Sequence, residues 1–171
     1  ATEHAAILLD EGLKPLLYEQ HTHLPKDTFH FIHKLEQEQY QLLELEHEDT
    51  WLVTFDVEAL YTNIPQQEAI QRIHTLTQQH NTIIPAHIYK ALATYILNNN
   101  YFSFNNTIYK QTLGTAMGNP AGGSTANTYL LPWENIFLNN NNYNSNIIFY
   151  NRYHDDGFMI WYGPLLKLLH F

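Results

Sequence analysis

Two adjacent aspartates, Asp155 and Asp156, stand between two runs of aromatic and β-branched residues in Tyr150-Asn-Arg-Tyr-His-Asp155-Asp156-Gly-Phe-Met-Ile-Trp161. Apolar residues on both sides predict a β-hairpin that presents the two acids at or beside its tip. Like charges so close repel, so the arrangement costs stability unless a cation or hydrogen-bond donors compensate. A solvated Asp-Asp-Gly turn would be the ordinary outcome for such a pair. Here the apolar flanks point to a buried hairpin, and a divalent cation site then needs a third carboxylate from elsewhere.

Trp51-Leu-Val-Thr-Phe-Asp56-Val57 supplies the candidate. Its apolar and β-branched residues predict a strand over 51–57, and Asp56 is the one acid within it. An acid in an apolar strand is expensive unless paired or metal-bound, which singles out Asp56 on cost alone. Hard cations such as Mg²⁺ take a few carboxylate oxygens together with substrate phosphates and water. A strand acid facing a hairpin Asp-Asp suits two-metal phosphoryl transfer, with ions roughly 3.5–4 Å apart.

Phe55-Asp-Val-Glu-Ala-Leu-Tyr-Thr-Asn-Ile-Pro65, Gly114-Thr-Ala-Met-Gly-Asn-Pro120 and Arg152-Tyr-His-Asp-Asp156 resemble motifs A, B and C of a reverse transcriptase palm. The wording is most similar to Penelope-like retroelement reverse transcriptases, over about 9–161. Three motifs in order and at fitting spacing are far more specific than any one. The resemblance implies an α+β fold: a polymerase palm, with a small antiparallel sheet and helices packed on one face, plus part of the fingers. It implies helical fingers and connector over 1–50 and a palm over 51–171.

The resemblance also implies an activity and a site. The activity is that of an RNA-directed DNA polymerase, a nucleotidyltransferase using two Mg²⁺ ions, with Mn²⁺ as a substitute. Asp56, Asp155 and Asp156 would be catalytic and, with the Val57 carbonyl, metal-holding; Asp156 would have the weaker or indirect role. Tyr61, Gln111, Gly114, Met117, Gly118 and Pro120 would bind the nucleotide, Tyr61 by crowding a ribose 2′-hydroxyl. A core aromatic at a strand end is an equally good reading of Tyr61. The partners would be an RNA template, a DNA primer and deoxynucleoside triphosphates. Two departures from the pattern stand out: His154 before the acids, and Gly157, which should loosen the hairpin after them.

Composition bears on the partners. The chain has 171 residues, 44% of them hydrophobic, and no cysteine, which suits one to one and a half domains and excludes disulfides and Cys-based zinc sites. Its 8 Lys and Arg against 17 Asp and Glu leave a net charge of -9, awkward for gripping a phosphate backbone. Much of the acid lies over 36–49, which contains no Lys or Arg. In the resembling family the basic contacts come from fingers upstream and a thumb downstream. The chain is therefore expected to be a fragment, poorly active alone, of a protein that adds the remaining fingers, a thumb and, as a further candidate, an endonuclease domain. No long apolar run or signal pattern is present, so no membrane association and an intracellular, nuclear location are expected.

Taken in order, 3–20 has helical spacing with Ala6, Leu9, Leu13, Leu16 and Leu17 inward and a kink expected at Pro15. Asp27 or Thr28 should cap a helix burying Phe29, Ile32 and Leu35. The polar stretch 19–25 should be a loop, and His21, His23, His30 and His33 fit no zinc spacing and read as solvated. An acidic, partly helical connector follows over 37–49. Pro65 opens a helix burying Ala69, Ile70, Ile73 and Leu76, and Pro85 one burying Ile88, Leu92, Tyr95 and Ile96. Asn105-Asn106 should turn a hairpin between 101–104 and 107–111. A glycine-bearing loop, 113–123, leads to a helix over 125–138 containing Pro132; 139–146 reads as an exposed Asn-rich connector.

Two other function classes fit the same residues: a catalytically idle palm remnant or nucleic-acid or protein-binding module, and a different metal-dependent phosphoryl-transfer enzyme. The intact acids argue against the first. The 114–120 motif argues against the second, which has no evident need for it.

Overall fold

A computed structural model describes residues 2–38, 49–140 and 142–171. The architecture is α+β with small antiparallel sheets. The chain forms two compact units, each from two separated segments: Ala1–His21 with Ala59–Leu131, and Thr22–Glu58 with Pro132–Phe171. The connector expected over 37–49 falls mainly on 39–48, outside the described residues.

The first unit is mostly helical. It holds α1 (Glu3–Gln20), a short α3 (Leu60–Asn63), α4 (Gln66–Gln79), α5 (Ala86–Asn98), the β2–β3 hairpin (Tyr101–Phe104 and Thr107–Lys110) and the start of α6 (Gly122–Leu138). Ala6, Leu9, Leu13 and Leu17 are buried on α1 and Ala69, Ile70, Ile73 and Leu76 on α4, as their 3.6-residue spacing dictates. Helix α1 continues unbroken through Pro15. On α5 the inward face is Tyr89, Ala93, Ile96 and Leu97, while Ile88 and Tyr95 are exposed. Two overlapping apolar stripes run along that helix, and packing against α1 and α4 chose between them. Asn105 and Asn106 both take positive φ, 48° and 58°, the conformation a two-residue hairpin asks of Asn.

The second unit carries α2 (Thr28–Gln37) and the sheet β1 (Thr50–Asp56), β5 (Asp156–Tyr162) and β4 (Ile147–Tyr153), in the order β1-β5-β4 and antiparallel throughout. It also holds the end of α6 and a short α7 (Leu165–Leu169). Alternation along the strands divides the sheet into two faces. One face presents Trp51, Val53, Tyr150, Met159 and Trp161, which form the core with Phe137 and Leu138 of α6 and Leu168 of α7. The other presents Thr54, Asp56, Asp156 and Phe158, since antiparallel partners share a face.

Helix α2 lies against that second face. Asp27 caps it, accepting from the His30 N–H at 2.8 Å, so the expected cap forms. Its inward residue is Phe31, whose ring meets those of Phe149 and Phe158 at 6.0 and 5.6 Å. Phe29, expected inward, is 84% exposed, and Ile32 is exposed too. The Asn-rich segment forms successive turns among its described residues, tied to β5 by Asn146 Nδ2 donating to the Tyr162 carbonyl at 2.7 Å.

Candidate active site

The β4–β5 hairpin closes at the pair Tyr153–Asp156, leaving His154 and Asp155 as a two-residue turn. His154 takes φ 57°, a left-handed conformation that His tolerates better than most side chains. Asp155 is therefore in the turn and Asp156 opens β5. Across the ladder, the residue opposite Asp156 is Asp56, the last of β1. Directly opposed side chains have Cβ atoms about 4.5–5.5 Å apart, so these two carboxylates stand side by side on one face. Asp155 is joined to the same end by its carbonyl, which accepts from the Val57 N–H at 2.9 Å. Local sequence set the hairpin; the β1–β5 register brought the third acid to it.

Asp56 does not carry the burial cost expected of an acid in an apolar strand. Asp56 and Asp156 are exposed and Asp155 is half-buried, because all three sit where strands end and solvent reaches them. Among the described residues no three His, Asp or Glu side chains gather within reach of a single cation. The donor set is nonetheless all carboxylate and carbonyl oxygen, the kind a hard divalent cation takes. Beside it, α2 and the sheet flank an open cleft of about 590 Å³ lined by Phe31, Phe55, Phe158 and Tyr153 together with Asp56 and Asp156.

Gly157 has a definite structural use. A Cβ there would overlap the ring of Phe55, its cross-strand partner. That ring stacks on Tyr150 at 6.1 Å and 14°. The glycine does not loosen the hairpin as expected; it makes room for an aromatic lid over the backbone next to the acids. Gly157→Ala is expected to push Phe55 off Tyr150 and lower stability by about 1–3 kcal/mol. Urea unfolding of the variant measures it, and a value within experimental scatter of the parent would show that Phe55 moves aside freely.

The opposite face of the hairpin hides a charged cluster that sequence reasoning did not find. Arg152 is buried with Glu134 of α6. Arg152 Nε donates to Glu134 Oε1 and Nη2 to Oε2, both at 2.8 Å, a two-pronged pairing. The Tyr150 hydroxyl also donates to Oε1, at 2.8 Å, and His23 Nε2 lies 3.3 Å from Oε2. Burial alone would raise the Glu134 pKa; hydrogen bonds from His23 and Arg152 and the charge of Arg152 outweigh it and hold it at about 2. Burial, then the charge of Glu134, pushes the Tyr150 hydroxyl upward. From this cluster Arg152 Nη1 reaches the turn itself, donating to the His154 carbonyl at 2.5 Å. Burial holds the His154 imidazole below its ordinary value, against the pull of Asp155.

The residues matched to nucleotide binding lie in the first unit. Gly114 takes φ 76°, and a Cβ there would overlap the Tyr61 carbonyl and the Thr62 backbone. Thr115 N–H donates to the Tyr61 carbonyl at 2.7 Å and Gly114 N–H to that of Ile64 at 2.8 Å. Gln66 Nε2 donates to the Gly114 and Gln111 carbonyls at 2.9 and 3.3 Å. Tyr61, Gln111 and Gly114 are thus drawn together, with Tyr61 half-buried. The close approach Gly114 permits is to its own chain. Met117, Gly118 and Pro120 are exposed, and Gly118 has open space where a side chain would be.

Residues 8–163 match the family model described as reverse transcriptase (RNA-dependent DNA polymerase). Among curated proteins none matches at a significant level. Among solved structures, telomerase from Candida albicans in complex with a TWJ fragment of telomeric RNA is similar, with TM-score 0.73 and 12% identity over 97% of this chain and 31% of that one. Apo telomerase from Candida tropicalis, truncated from its C-terminal domain, gives TM-score 0.70 and 13% identity over 95% of this chain and 35% of that one. The chain therefore spans about a third of the telomerase chains it resembles. With motifs A, B and C in order and the family match spanning nearly its whole length, the chain belongs to the reverse transcriptase (RNA-dependent DNA polymerase) family.

Proposed function

We propose that this chain is the palm of an RNA-directed DNA polymerase of a retroelement, of the Penelope-like type its motifs resemble. Asp56, Asp155 and Asp156, with the Val57 carbonyl, would hold two Mg²⁺ or Mn²⁺ ions. The observation that carries the reading is the register pairing Asp56 with Asp156 on one sheet face, with Asp155 in the adjoining turn. Bound there, such ions would acidify a primer 3′-hydroxyl and neutralise phosphate charge. The chain's own part is to hold the carboxylates at the end of a paired, aromatic-backed hairpin, so that little reorganisation is needed. The partners of this reading are an RNA template, a DNA primer and deoxynucleoside triphosphates, inside a longer nuclear protein whose fingers and thumb supply the basic contacts that a charge of -9 lacks.

A second reading, an idle palm remnant, is favoured by the absence among the described residues of three ligands within reach of one cation. Titration of the chain with Mn²⁺, followed by electron paramagnetic resonance, separates the two. The polymerase reading expects saturable binding that weakens at least ~10-fold in Asp56→Asn, since even outer-shell partners are worth 10–100-fold in metal affinity. Binding that is absent, or indifferent to that substitution, favours the remnant.

Tyr61 is proposed to select deoxynucleotides by filling the space of a ribose 2′-hydroxyl. In the longer protein, Tyr61→Ala is then expected to raise ribonucleotide incorporation relative to deoxynucleotide. A packing role would depress both substrates alike, through a stability loss of up to ~3–5 kcal/mol. The incorporation ratio at matched folded fraction decides, and an unchanged ratio returns Tyr61 to the core.

A further inference from the structure

We propose that Arg152 is a positioning residue for the paired acids, holding the turn that carries them against a buried carboxylate. The inference rests on the reading above of Asp155 and Asp156 as cation ligands. Arg152 precedes the turn by two residues, on the sheet face opposite the acids, with Gly157 as its partner across the β4–β5 ladder. Its guanidinium divides its donors: Nε and Nη2 grip Glu134, and Nη1 holds the His154 carbonyl. His154 is the turn residue with positive φ, a conformation that tends to relax unless its surroundings hold it. The next carbonyl, that of Asp155, is tied to Val57, the residue following Asp56. A chain of contacts thus runs from Glu134 through Arg152 and the turn to the end of β1, fixing where all three carboxylates stand. A buried ion pair is poor evidence of stabilisation in itself, because desolvation cancels much of the attraction. Its use here is geometric: the fork of Arg binds two acceptors in fixed directions, which an ammonium cannot do.

Two variants of the 171-residue chain test this. Arg152→Lys keeps the buried charge against Glu134 but cannot span both acceptors. The pair Glu134→Leu with Arg152→Met removes both charges, a replacement that is often tolerated, and removes the donor to the turn. Hydrogen exchange of the Val57 amide, measured against amides in the middle of β5, reports on the turn without any metal. Whichever variant folds is expected to exchange that amide at least ~10-fold faster while the β5 amides stay protected, and to bind Mn²⁺ ~10–100-fold more weakly, the usual range for losing an outer-shell partner. Val57 protection within twofold of the parent in a folded variant overturns the proposal. Should the parent itself bind no Mn²⁺, the polymerase reading fails, and the Val57 exchange still judges the positioning role by itself.

Discussion

Alanine at Glu134 is expected to cost about 3–5 kcal/mol of stability, a large share of the ~5–15 kcal/mol that holds a domain folded. The substitution strands the guanidinium of Arg152 in the core, where it is 1% exposed, and deprives the Tyr150 hydroxyl of its acceptor. Equilibrium urea unfolding reads the loss. The double change, Glu134→Leu with Arg152→Met, is expected to recover most of it, because no charge then remains to be solvated. A Glu134→Ala chain as stable as the parent would mean that water enters the cluster and that the pair is not truly buried.

The same carboxylate gives a pH signature. Its pKa in the folded chain is about 2, below the ordinary 4.5. A depressed carboxylate contributes stability that is fully present above the ordinary value and is lost as pH falls through the folded one. The parent should therefore lose stability between about pH 4.5 and about pH 2. The Leu–Met double variant should lack that component, and midpoints measured across the window test it.

Neutralising the acids is expected to act in the opposite sense on stability and on activity. On the proposed polymerase reading, Asp56→Asn or Asp155→Asn in the longer protein that reading implies should slow primer extension by ~10³-fold or more, since metal-assisted charge stabilisation is worth several kcal/mol. The fold should survive, because Asp56 is exposed and Asp155 half-buried. For Asp56→Asn the chain should even gain slightly, by no more than about 1 kcal/mol, since two like charges directly opposed across a ladder repel. Comparing extension rate with melting temperature for each variant checks both halves. A variant that loses activity only in proportion to lost folding would return the acids to a structural role.

Features decided by neighbours along the chain were legible in the sequence. The turn at Asn105 and Asn106 needs left-handed backbone, which Asn accepts, and both residues take it. Asp27 caps α2 because its side chain reaches an N–H three residues on. The buried stripe of α4 follows from spacing alone. The three motifs identified the family for a related reason: chemistry that needs certain side chains at certain turns leaves them in fixed order.

Tertiary packing decided the rest. Periodicity offered α2 an inward face of Phe29 and Ile32, but the rings of Phe149 and Phe158 took Phe31. Gly157 read as slack in the hairpin until its partner across the ladder proved to be Phe55, whose ring fills the space a Cβ would need. Glu134 and Arg152, eighteen positions apart, look like any two charged residues in a sequence. Only folding α6 against the back of the hairpin takes both from water, and a charge declares its importance only once it has lost its solvent.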